Sequence, residues 1–204
     1  VVILLVGTPA AYLLARPGLR GRAVLTTIIE LPIVLPPAVA GIGLLAAFGP
    51  RGPVGGALAD AGVTLPLTEI AVVMAMVFVA APLYIRQAIA AFVSVDPRLG
   101  AVSATLGVGE ARFAARIAVP LAAPGLASGT SLALGRALGE FGATLLFAGA
   151  VRGVTETLPV AILSTFGTDF DAALAMGAFL IAISGALLLS VKFLETRFAP
   201  ARIG

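Results

Sequence analysis

Apolar residues in this chain fall into five long runs, separated by short stretches rich in glycine, proline and arginine. The runs cover about Val1–Ala15, Ala23–Phe48, Ile70–Phe92, Ala122–Ala148 and Ala172–Val191. A helix needs about 20 consecutive apolar residues to cross a bilayer, and the last four runs reach that length. The first is short. It reads as the inner end of a helix that begins before this sequence, since Arg16 and the basic turn Pro17–Arg22 do not look like a signal-peptide cleavage site. The pattern predicts an all-α, polytopic membrane protein: one transmembrane domain over residues 1–204 with five spans, the first truncated. No soluble domain and no tandem repeat is visible.

Two runs contain residues that an ordinary membrane helix avoids. The second holds Pro32, Pro36 and Pro37, followed by Gly41 and Gly43. Each proline removes a backbone donor and clashes one turn back. In lipid, an interrupted backbone survives only where protein or a water-filled cavity satisfies it, and transporters place such breaks near their pathway. Pro32, Pro36, Pro37 and Gly41 are therefore candidates for a translocation path or gate, with a kinked packing helix as the plainer alternative. The fourth run holds Arg136, Gly139 and Glu140 within GRALGEFGAT. Counted from Pro124, Arg136 lies about 18 Å and Glu140 about 24 Å into the span. Ionisable groups at such depth face a bundle interior or a wet cavity, and four-residue spacing allows them to pair on one helix face. Arg136, Gly139 and Glu140 thus either line the path or form a lock between helices.

Between the third and fourth runs lies a segment too polar to span, Asp96–Gly125, with Arg98, Arg112 and Arg116. Leu99, Val102 and Leu106 share helical spacing, as do Phe113 and Ile117. The sequence predicts two short helices over about 94–120, bent at Leu106-Gly107-Val108-Gly109, with Pro120 and Pro124 following. Gly107 can supply the positive φ that ends a helix sharply. A basic amphipathic hairpin of this kind suits a soluble partner better than lipid.

Charge sets the expected orientation. Of thirteen basic residues, Arg16, Arg20, Arg22, Arg86, Arg98, Arg112, Arg116, Lys192, Arg197 and Arg202 fall on one side of the predicted membrane. Arg51 and Arg152 fall on the other, and Arg136 lies within a span. Cytoplasmic loops carry the excess of Lys and Arg, so the hairpin is expected in the cytoplasm. The net charge of +3 is then a matter of topology and needs no nucleic acid. Apolar residues are 60% of the chain, and it contains no cysteine, histidine or tryptophan. Its mean hydropathy is +1.12. Disulfides, thiol or histidine metal sites and a histidine-dependent triad are excluded. There is no G-x-x-x-x-G-K-[ST] run, and Lys192 is the only lysine. The chain therefore lacks the usual phosphate cradle for ATP, and transport energy must come from a partner or an ion gradient.

The order of parts in the hairpin resembles the cytoplasmic loop of ABC-type importer permeases: a small-residue helix, Leu106-Gly107, about ten residues, then Pro120 and Pro124-Gly125. The runs GEFGAT, LPIVLPPAVAG and GVTETLPVAI resemble the molybdate/tungstate branch of that family, and the sulfate/thiosulfate branch shares much of the pattern. The resemblance covers nearly the whole chain. It implies a multi-pass subunit of the cell membrane that imports an oxyanion by alternating access. It further implies a homodimer of permeases, cytoplasmic ATP-binding subunits that use the ATP, an extracytoplasmic oxyanion-binding protein, and no cofactor on this chain. The loop would couple to the ATPase through Ala101, Val102, Ser103, Ala104, Thr105, Leu106, Gly107, Val108, Gly109 and Glu110. Gly107 matches the family glycine. The glutamate-alanine-alanine signature of the family falls on Ala101, Val102 and Ser103, so its acidic residue is absent. A gradient-driven secondary transporter, using Arg136, Glu140 and Glu30, is the alternative from another class. An intramembrane enzyme is disfavoured, because no span holds a serine-lysine or paired-aspartate constellation.

Overall fold

A computed structural model describes the backbone of residues 1–198 and the side chains of residues 1–193. The side chain of Arg197 and the whole of Arg202, both assigned above to the basic side, lie outside the described residues. Eleven α-helices and one π segment, with no strand among the described residues, occur in the order α1 Val2–Ala15, α2 Arg22–Val34, α3 Pro37–Phe48, α4 Pro53–Asp60, α5 Glu69–Val93, α6 Pro97–Thr105, α7 Glu110–Phe113, π Ala114–Ala118, α8 Val119–Leu138, α9 Gly142–Ala148, α10 Leu158–Phe166 and α11 Phe170–Phe198. This all-helical outcome agrees with the apolar runs of about 20 residues, since a helix satisfies each backbone donor and acceptor inside its own segment, as a spanning segment in lipid requires unless it belongs to a closed barrel.

Three stretches are long and apolar enough to cross a membrane: Glu69–Val93, Glu110–Leu138 and Phe170–Phe193. The predicted second span is a broken pair, α2 and α3, bent by 117°. The first apolar helix, α1, is 14 residues long. Three boundaries differ from the sequence reading. The predicted fourth span, Ala122–Ala148, does not run through: α8 ends at Leu138 and a separate short helix, α9, follows. The second helix of the hairpin does not stop before Pro120. It continues through the π segment into α8, with Pro124 inside the helix. Ending a helix next to the membrane strands its carbonyls, whereas a wide turn ahead of a proline accommodates the lost donor at lower cost. The predicted loops 49–69 and 149–171 contain α4 and α10, each begun by a proline in its first turn.

The chain forms two compact units. Among the described residues, one comprises Val1–Glu30, Ala81–Leu134 and residues 188–198; the other comprises Leu31–Ala80 and Gly135–Leu187. In the first, the second half of α5 is flanked by small-residue faces. A Cβ on Gly7 of α1 would sit 2.9 Å from the Tyr84 ring, and one on Gly125 of α8 would sit 2.5 Å from the Ala91 Cβ. Tyr84 is buried, and its hydroxyl lies 2.5 Å from Thr8 Oγ1. Such stripes let membrane helices approach closely where burial of apolar surface supplies no drive. In the second unit, Ala40 and Leu44 of α3 pack with Ala71, Ala75 and Val79 of α5 and with Ala143, Phe147 and Ala148 of α9.

Candidate functional site

The hairpin expected between the third and fourth runs is built around α6. Asp96 caps its N-terminus, its carboxylate accepting from the Arg98 amide at 2.9 Å. The C-terminus closes with a Schellman turn: the Val108 amide donates to the Ser103 carbonyl at 2.9 Å and the Gly107 amide to Ala104 at 3.1 Å. Gly107 has φ +70°, the left-handed geometry expected from the sequence. Within this frame Ser103 is buried, while Leu99, Val102 and Leu106 lie outward, Leu106 being 75% exposed and Val102 56%. Ala101, Ala104, Thr105, Gly107, Gly109 and Glu110 are exposed as well, and Val108 is half-buried. Three apolar side chains on one open helix face, with small residues between them, form a surface that another protein can cover.

The inner side of this loop is anchored to the first helix. Glu110 forms an ion pair with Arg16. The Arg16 guanidinium lies 5.4 Å from the centroid of the Tyr12 ring, and Tyr12 meets Phe92 edge-to-face at 5.4 Å. An open cavity of about 530 Å³ lies here, lined by Tyr12, Arg16, Phe92, Asp96, Glu110 and Phe113 among others. The Arg16–Glu110 pair left no trace in the sequence pattern, because the partners are 94 positions apart, from residue 16 to residue 110.

The second constellation is the set of broken helices. Pro36 has extended backbone, with ψ 136°, and Pro37 opens α3 in its first turn, so the two prolines together turn the chain. Pro32 lies inside α2, and its ring is buried. Gly41 lets α3 touch α9: a Cβ there would come 2.9 Å from both the Cα and the carbonyl oxygen of Ala143. At the other break, Arg136 lies in the last turn of α8 and Glu140 precedes α9. Arg136 Nη1 lies 2.7 Å from Glu140 Oε2, and the glutamate is 0% exposed. Its other oxygen, Oε1, accepts from the Ala143 amide at 2.7 Å, one of the amides that a helix start leaves unpaired. The carboxylate therefore joins the end of one helix to the beginning of the next. Gly139 sits in the open turn between them. Among the described residues no group of three or more Asp or Glu side chains is placed to hold a metal ion.

The structure thus brings Arg136 and Glu140 together, and brings Gly41 onto α9. It holds Ala101–Glu110 in one turn-bounded loop. It keeps that loop and the breaks in separate compact units, apart from the hairpin's continuation into α8.

The family described as binding-protein-dependent transport system inner membrane component matches residues 7–203. The chain is similar to the molybdenum transport system permease protein ModB of Mycobacterium tuberculosis, 43% identical over 94% of this chain and 72% of that protein. It is 40% identical to the ModB protein of Escherichia coli K12, over 78% of this chain and 69% of that protein. Among solved structures, a bacterial alginate ABC transporter in complex with a pentasaccharide-bound periplasmic protein superposes with a TM-score of 0.72 at 20% identity, over 96% of this chain and 74% of that one.

Proposed function

Because the chain belongs to the binding-protein-dependent transport system inner membrane components, we propose that it is the membrane-spanning permease subunit of an ATP-driven importer for molybdate or tungstate. The observation that carries this reading is the 43% identity to a molybdenum permease over 94% of the chain. In the assembled importer two copies of the chain enclose the path, and an extracytoplasmic binding protein delivers the oxyanion. Cytoplasmic ATPase subunits press on α6.

The exposed face of Leu99, Val102 and Leu106 supports α6 as the coupling contact. The excess of arginine around it supports its cytoplasmic placement. The Arg16–Glu110 pair gives motion of the loop a route to α1, and the unbroken helix from Glu110 to Leu138 gives it a route across the membrane. ATP-driven closure of the partner then shifts the population between inward-open and outward-open forms. The test is uptake of labelled molybdate, tungstate and sulfate into vesicles holding the permease, its ATPase and its binding protein. Accumulation of molybdate and tungstate in preference to sulfate is the expected result. Preferential sulfate accumulation would reject the anion assignment.

A further inference from the structure

Among the described residues, two acid–base pairs lie in the apolar helices or at their breaks, and they differ in kind. In Arg136–Glu140 the groups are close and the carboxylate is fully buried and tied to backbone, which is how a structural lock is built. Glu30 of α2 and Arg86 of α5 are only 3.8 Å apart at their nearest atoms, and their side chains are 42% and 70% exposed. At that separation the pair makes no hydrogen bond, and Arg86 donates none to any described residue. Its guanidinium fork is open for a tetrahedral oxyanion, which takes two donors at once.

The depth of the pair decides what its open face meets. Glu30 lies eight residues after Arg22, about 12 Å into α2, and Arg86 seven residues before Val93, about 10 Å from the end of α5. An arginine can snorkel over that distance, but a glutamate is too short. A carboxylate held there against lipid is costly. The same stripe of α2 carries Thr26 and Thr27, whose hydroxyls donate back to the carbonyls of Arg22 and Ala23. Those hydroxyls are satisfied within the helix, so it is the Glu30 carboxylate, with Arg86 only 3.8 Å away, that calls for water or a charged partner on this face.

Resting on the importer reading above, we infer that Arg86 is a binding step for the transported oxyanion on the cytoplasmic half of the path, and that Glu30 is its built-in competitor. When the dianion arrives, the guanidinium turns from the loosely held carboxylate to the stronger charge. The adjacent carboxylate then repels the dianion and keeps the stop brief. An arginine without such a neighbour would retain a dianion and slow release.

The test compares wild type with Arg86→Gln, Glu30→Gln and the double variant Glu30→Gln/Arg86→Gln, each assembled with its ATPase and binding protein in phosphatidylethanolamine/phosphatidylglycerol vesicles. Losing a charge-assisted contact should lower molybdate uptake about tenfold or more in Arg86→Gln and in the double variant alike. Glu30→Gln should fold normally and become more sensitive to inhibition by molybdate on the cytoplasmic side. If the pair is only structural, neutralising both partners restores transport, and a double variant working at the wild-type rate would overturn the proposal. A second readout is equilibrium binding of labelled molybdate and sulfate to the detergent-purified permease–ATPase complex. Binding of either anion that disappears in Arg86→Gln supports the site. Binding of sulfate alone supports the site while removing the molybdate assignment, and binding of neither, or binding unchanged in Arg86→Gln, overturns the site.

Discussion

At the scale of single residues, two positions show how backbone and charge fix the working parts. Gly107 has open space around the place where a Cβ would sit, so the only penalty for a side chain is its φ of +70°. A Gly107→Val variant should lose about 1–3 kcal/mol locally, because β-branched residues tolerate positive φ poorly. Asparagine, which visits that region more easily, should cost less. The expected outcome is normal expression of both variants, with ATPase co-purification weakened in the valine variant and largely kept in the asparagine one. Glu140 has the opposite problem. Gln at this position keeps an acceptor for the Ala143 amide but leaves Arg136 without its counter-charge. The Arg136 side chain is 29% exposed, so the loss should fall below the about 3–5 kcal/mol of a fully buried pair broken from one side, but Glu140→Gln should still lower the melting temperature in detergent. A double variant with methionine at both positions should recover much of the loss. A double variant as unstable as the single one would show that the pair is not the source of the effect.

At the scale of elements, the sequence was informative wherever one residue type has one physical use. Pro36 and Pro37 marked the end of α2 and the start of α3. Leu106-Gly107 marked the Schellman turn, and the four-residue spacing of Arg136 and Glu140 marked their pairing. It was uninformative where one residue type has two uses. Pro120 and Pro124 resemble helix stops, yet the helix passes through both, since a π segment and the membrane environment make continuation cheaper than a broken end. The break after Leu138 carries no proline and was hidden inside an apolar run; Gly139, Glu140 and Gly142 around it were its local signals. Partners distant in sequence, such as Arg16 with Glu110, leave no pattern to read. The α6 face offers the prediction proper to this scale. Leu106→Asp replaces a side chain that is 75% exposed, so it should change the permease's own stability by less than about 0.5 kcal/mol. It should nonetheless abolish ATPase co-purification and uptake. Retained co-purification would move the docking surface off α6.

At the scale of the whole molecule, orientation and energy source are each open to measurement. The cysteine-free sequence allows single cysteines to report topology. A cysteine at Gly109 should react only with reagent on the cytoplasmic side and one at Gly153 only with reagent outside. The reverse pattern would invert the orientation and remove α6 from its partner. On the proposed function, the chain moves an oxyanion only when a separate subunit hydrolyses ATP. The direct measurement is molybdate uptake into vesicles with the ATPase present or omitted, with ATP or a non-hydrolysable analogue at the ATPase face, and with ion gradients intact or collapsed by ionophores. The expected result is uptake that vanishes without the ATPase or without hydrolysable ATP, and that persists when the gradients are collapsed. Uptake by the permease alone, driven by an imposed proton or sodium gradient and indifferent to ATP, would contradict it.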